Sequence, residues 1–151
     1  MWDTAKALET SSASSAADAM ISDADLIERA REARQSAHAP YSKFQVGAAL
    51  VSSEGRVYTG CNIENATYSL TMCAERVAIF KAASEGALRI ARIAVIAEGD
   101  EPVTPCGCCR QMIWEFGDDN TVVVMCTLSG RVKSLSIAAL FPHPFDSSFL
   151  A

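Results

Sequence analysis

Six cysteines are the residues of this chain best equipped for chemistry: Cys61, Cys73, Cys106, Cys108, Cys109 and Cys126. Three of them crowd into Pro105-Cys106-Gly107-Cys108-Cys109, where Cys106 and Cys109 have C-x-x-C spacing. That pair alone fits a zinc knuckle, a redox pair or chance. The opening stretch, MWDTAKALETSSASSAADAM, has no apolar h-region and no Arg, so it reads as neither a secretory signal nor a transit peptide. In a cytoplasmic chain, an even cysteine count points to metal binding or catalysis before disulfides. Cys73 is followed two residues later by Glu75, a carboxylate near enough to serve a metal-bound water. Cys61 and Cys126 fall in apolar strand-like runs and read as core packing. Cys108 could replace Cys106 or Cys109 as a ligand. His38 and His143 read as surface residues.

The elements that must position these groups follow from periodicity. Ser22 and Asp25 resemble a capping box, and Leu26, Ile27, Ala30, Ala33 and Ala37 continue at helical spacing toward His38 and Pro40. Gln45–Ser52 and Arg56–Cys61 read as a hairpin around Ser53-Glu54-Gly55. A polar loop spans Asn62–Ser69, and a second helix runs from Met72 to about Ala83. Ile90–Ala97 is a strand apolar enough to be covered on both faces. A third helix covers Cys108–Phe116, with strands at Thr121–Thr127 and Arg131–Leu135 and one helical turn at Ile137–Leu140. Phe80, Trp114 and Phe116 read as core. The order predicts a layered α/β sandwich with a mixed five-stranded sheet, its two strand–helix–strand crossovers placing parallel neighbours in the middle.

On that map Cys73 opens the second helix, and Cys106 and Cys109 open the third. Helix N-termini carry partial positive charge and lower a thiol's pKa. Three thiolates converging there make a zinc site whose fourth position is left for water, the mark of a catalytic zinc. Glu75 would take and return that water's proton. Three thiolates over-compensate a dication, so Arg76 and Arg110 are expected to donate to sulfur and draw charge off the metal. A structural zinc would need a fourth protein ligand, from Cys108 or His143.

The 151 residues bound the chain to about one domain, and 50% hydrophobic content is enough for a core without staples. Residues 1–21, rich in Ala and Ser, read as a disordered tail or extension before a catalytic domain at 22–151. A net charge of -5 argues against a nucleic-acid partner. The longest apolar runs are far too short for a membrane span.

Cys73-Ala74-Glu75-Arg76, with Pro105-Cys106-Gly107-Cys108-Cys109-Arg110-Gln111, resembles the zinc cytidine deaminases. Tyr41 to Ala48 and Gly60 to Ala66 are similar to further segments of that family, and the likeness runs from about Leu26 to Phe145. The resemblance implies a three-layer α/β/α sandwich, with Zn²⁺ on Cys73, Cys106 and Cys109 and Glu75 as proton shuttle. It implies that Asn62 and Glu64 bind the ribose hydroxyls, Phe44 packs on the nucleoside and Ala74 offers its backbone to the base. Phe145 would cover the base from a neighbouring subunit of a homotetramer with shared sites, and Tyr68 would line an interface. The implied reaction is hydrolytic deamination of cytidine and deoxycytidine in pyrimidine salvage; the alternative is a cytosine nucleoside antibiotic of the blasticidin S type. Gln45, Thr104 and Cys108 depart from the residues usual in the family, and none of these removes a ligand or the base.

Overall fold

The computed structural model describes residues 21–150. Most of the expected tail therefore lies outside the described residues; Ile21 itself packs partly against the core. Helix α1 spans Asp23–Arg34 and is capped by Ser22, whose side chain accepts from the Asp25 N–H. Asp23 and Asp25 in its first turn, with Arg31 and Arg34 in its last, both suit the helix dipole. The helix stops short of His38. The chain unwinds through tighter turns at Gln35–Ala37, and the His38 N–H then donates to the Asn62 carbonyl at 3.0 Å.

Strands β1 (Val46–Ser52) and β2 (Val57–Cys61) form the expected hairpin, followed by helix α2 (Ala74–Ser84) and strand β3 (Ile90–Ala97). Helix α3 (Gly107–Phe116), strands β4 (Val122–Thr127) and β5 (Val132–Ser136) and the single-turn helix α4 (Ile137–Leu140) complete the order. The sheet runs β2-β1-β3-β4-β5. Its one parallel pair is β3 with β4; the other neighbours are antiparallel. Of the two strand–helix–strand crossovers, the second gives the expected parallel neighbours in the middle of the sheet and the first does not. The β2–α2–β3 crossover passes over β1, which lies between the two strands it joins.

Alternation divides the sheet's side chains between two cores. Ala49, Val51, Ala94, Ile96, Val124 and Cys126 pack with Leu26 and Ala30 of α1. Leu50, Ile93, Val95, Val123 and Met125 face the opposite way, onto Ala78, Ile79, Ile113 and Ile137 of the other helices. The three-layer α/β/α arrangement follows. Phe80 is 46% exposed and not core, whereas Trp114 and Phe116 pack against the second of these cores.

Two glycines set how closely the helices approach. A Cβ on Gly47 would lie 2.0 Å from the Ala30 carbonyl oxygen of α1, and one on Gly60 would lie 2.4 Å from the Ala74 oxygen of α2. Only a residue without a side chain fits either place.

Candidate metal centre and active site

Because β1 is antiparallel to both β2 and β3, those two strands point the same way. Their carboxyl ends lie at one end of the sheet, and the helices that follow them open there. The Asn62–Met72 connection is more ordered than a polar loop. Ile63 and Met72 exchange backbone bonds of 2.9 Å, and Glu64 N–H donates to the His38 carbonyl at 2.8 Å. This small ladder pins the residue before Cys73 against the end of β2.

Cys73 and Cys106 are the N-cap residues of α2 and α3, in extended backbone conformations and with no capping bond from either side chain. Their sulfurs are thus free to turn inward. Cys109, in the first turn of α3, is fully buried. The sulfurs of Cys73 and Cys106 lie 3.9 Å apart, and all three sulfurs lie within 4.8 Å of one another. A tetrahedral zinc with Zn–S of about 2.3 Å spaces its sulfurs about 3.8 Å apart, so the donor set fits that ion. Cys108 is exposed and outside the cluster, as is His143. No fourth protein ligand stands beside the three among the described residues, which is the composition of an open, water-accepting site. Cys126 is a core residue whose thiol is pushed up to about 11, chiefly by burial. Cys61 is only half-buried at the end of β2.

The electrostatics single out Cys73 as the sulfur that ionises most readily. Hydrogen bonding from Cys109 and from Arg76 holds the Cys73 thiol down at about 5, against the burial that raises it. The Cys109 thiol, donating to Cys73 and buried, is pushed up correspondingly. Arg76 Nη2 reaches Cys73 Sγ at 3.6 Å and the Thr71 carbonyl at 3.3 Å. Arg76 Nε is a buried donor without a partner among the described residues, available to the same sulfur cluster. Arg110 is placed differently from the expectation. Its guanidinium donates to Pro105 O at 2.7 Å, Leu140 O at 3.0 Å and Thr104 Oγ1 at 3.0 Å, all oxygens. It braces the loop leading to Cys106 instead of donating to a thiolate. The side chain ties α3 to that loop and to the end of α4.

Glu75, in the first turn of α2, is 4% exposed. Burial pushes its carboxyl up to about 7, and its own backbone N–H and the Cys109 thiol pull weakly the other way. Ala74, between Cys73 and Glu75, is fully buried at the start of the helix.

Beside the sulfurs, the residues expected to hold a sugar first hold their own loop. Asn62 Oδ1 accepts from Val46 N at 2.8 Å and its Nδ2 donates to Phe44 O at 2.8 Å. Glu64 accepts from Tyr41 N at 2.8 Å and from Ser42 Oγ, which lowers its pKa. An amide keeps a second hydrogen and lone pair, and a carboxylate keeps further lone pairs, for a hydroxyl ligand. Lys43 turns the loop with a φ of 61°, and Phe44 emerges 41% exposed. Tyr41, Ser42, Glu64, Tyr68 and Thr71 line a cavity of 380 Å³. Phe145 is 56% exposed and stacks on Phe149 with ring centroids 5.4 Å apart. Sequence reasoning missed Gln111, whose side-chain amide bonds the Phe145 backbone in both directions. It stands at the end of the Pro105–Gln111 motif, but no periodicity or spacing links it to Phe145, thirty-four residues further along.

A metal position left open on one side, next to a carboxyl poised between its charge states, belongs to the hydrolases that activate water. Residues 20–126 match the family described as cytidine and deoxycytidylate deaminase zinc-binding region, and the chain belongs to that family. A cytidine deaminase of Sporosarcina psychrophila is 46% identical over 126 residues, spanning 83% of this chain and 93% of that protein. The crystal structure of a cytidine deaminase from Burkholderia pseudomallei matches with a TM-score of 0.80 at 46% identity, covering 83% of this chain and all of that one. A blasticidin-S deaminase of Bacillus cereus is 30% identical over 109 residues, 67% of this chain and 76% of that protein.

Proposed function

We propose that this chain hydrolyses the C4–amino bond of cytidine and deoxycytidine, giving uridine or deoxyuridine and ammonia. The observation that carries the reading is the meeting of the three sulfurs of Cys73, Cys106 and Cys109 beside the buried carboxyl of Glu75. Cys73, Cys106 and Cys109 would hold the zinc ion, which would supply the Lewis acidity that lets a water lose its proton near neutral pH. Glu75 accepts that proton, its carboxyl lying near 7 because of burial, and is then the acid that protonates N3 of the cytosine ring. With N3 protonated, C4 is electrophilic and takes the water oxygen. Glu75, again a carboxylate, takes the proton of the hydroxyl added at C4 and passes it to the amino group; the C4 carbonyl re-forms and ammonia leaves. Arg76 offsets the excess negative charge of three thiolates through its bond to Cys73.

Asn62 and Glu64 suit a ribose, Phe44 suits the face of a base, and the Ala74 backbone suits its edge. Phe145 covers the base in an assembly of four chains, for which the exposed aromatic pairs Tyr41–Tyr68 and Phe145–Phe149 supply contact surface. Among the described residues no helix is long and apolar enough to cross a membrane, and the chain is acidic. On this reading the substrate is a small molecule and the role is one in pyrimidine salvage.

A blasticidin S-type antibiotic is the second reading, favoured by the 30% identical deaminase of that name. The higher identity to cytidine deaminases supports the nucleoside. Ammonia release from the purified, zinc-loaded protein tests both. We expect release with cytidine and deoxycytidine and none with blasticidin S. Release from the antibiotic alone reverses the reading, and bound zinc without release from any of them removes the enzyme assignment.

A further inference from the structure

Two consecutive residues of α3, directly after Cys109, reach the C-terminal segment. Arg110 Nη1 donates to the Leu140 carbonyl at the end of α4 at 3.0 Å. Gln111 then grips the backbone of Phe145. Its Nε2 donates to Phe145 O at 2.7 Å, and its Oε1 accepts from Phe145 N at 3.3 Å. Between these anchors lie only residues 141–144, with Pro142 and Pro144 fixing their own φ angles. The Phe145 ring is 56% exposed and its aromatic partner, Phe149, is itself 68% exposed, so burial does not hold this ring in place. The Gln111 amide does. An amide side chain presents an uncharged donor and acceptor on two separate atoms at one end, matched to the C=O and N–H of a single residue.

We propose that Gln111 is a positioning residue for substrate binding: it fixes Phe145 relative to the helix that carries Cys106 and Cys109. The proposal rests on the reading of Phe145 as the ring that covers the base. Gln111 has no place in the proton path, so its loss acts on KM and spares kcat.

The test compares three zinc-loaded variants, Gln111→Leu, Gln111→Glu and Phe145→Ala, with the parent protein. Gln111→Leu removes both bonds and leaves a helix-compatible apolar side chain in place. It is expected to raise KM for cytidine about tenfold, the weight of a pair of neutral, partly exposed hydrogen bonds. Its kcat stays within about threefold, its zinc content is unchanged, and amide exchange across residues 141–150 quickens. Gln111→Glu keeps the acceptor, loses the donor and falls between. If Phe145→Ala raises KM and Gln111→Leu does not, the proposal is overturned while the reading of Phe145 stands. If neither variant raises KM, the reading of Phe145 fails and the binding role of Gln111 fails with it. A fall in kcat with lost zinc and unchanged KM also overturns the proposal, because Gln111 would then act only through the metal helix.

Discussion

Glu75 shows how one carboxyl is made useful by where the helix puts it. A surface glutamate is ionised at neutral pH and protonates nothing; at 4% exposure the same group is pushed up to about 7 and can both accept and return a proton. Glu75→Gln keeps the shape and loses the proton. Turnover should fall by about 10²–10⁴ while zinc content, read by metal analysis, stays at the parent level. Substantial residual activity would remove Glu75 from the mechanism. Arg76→Ala should weaken zinc retention against a chelator by about 10–100-fold, because it strips a donor from the Cys73 sulfur. Equal retention by the two proteins would mean that this donor contributes nothing. Glu64, whose shift is opposite in direction to that of Glu75, offers a pH prediction. Hydrogen bonds from Ser42 and Tyr41 lower its pKa in the fold, so its hold on the loop is complete above the ordinary value of 4.5 and lost as pH falls through the lower folded value. The Tyr41 and Ser42 amide resonances should therefore titrate together below 4.5, and Glu64→Gln should abolish that titration.

At the scale of elements, helix placement depends on two missing side chains. A Cβ at Gly60 would press on the Ala74 oxygen and the Ala78 nitrogen, and one at Gly47 on the Ala30 oxygen, all of them backbone atoms that cannot swing away. Each glycine-to-alanine change should cost about 1–3 kcal/mol or more in thermal or denaturant unfolding. Their effects on metal should differ. Gly60→Ala displaces α2, whose cap is Cys73, and should weaken zinc binding; Gly47→Ala displaces α1, which carries no ligand, and should leave it intact. Equal zinc affinity in the two variants would break the link between sheet packing and metal site. The strands were legible because apolar residues alternate or run continuously over Val46–Ser52 and Ile90–Ala97, and the sulfur cluster because its cysteines sit at helix starts. What stayed hidden was set by distant partners. That β1 intervenes between β2 and β3 is a fact of pairing, not of chain order. The Ile63–Met72 bridge is a single residue pair with no period to detect. The direction of the Arg110 guanidinium depends on Leu140, thirty residues further along. Phe80 fits the apolar pattern of α2 but falls on the side no neighbour covers.

For the whole molecule, the question is whose substrate Phe145 serves. Gln111 ties its backbone to the outside of α3, and its ring faces out with Phe149. A ring so exposed is not enclosed by its own chain, so on the proposed role the base it would cover belongs to a neighbour. Tyr68, 74% exposed and edge-on to Tyr41 beside the 380 Å³ cavity, gives a second surface that another copy would bury. If sites are shared in this way, two damaged chains can repair each other. A Glu75→Gln chain still supplies Phe145, and a Phe145→Ala chain still supplies Glu75. Mixed after subunit exchange in equal amounts, they should assemble so that about a quarter of sites contain both intact groups, as random pairing across symmetric interfaces requires. Activity at low cytidine should then exceed the mean of the two separate variants, and sedimentation should report a particle of four chains. Sites built within single chains would instead give only that mean at every mixing ratio, because no exchange could bring the two intact groups together.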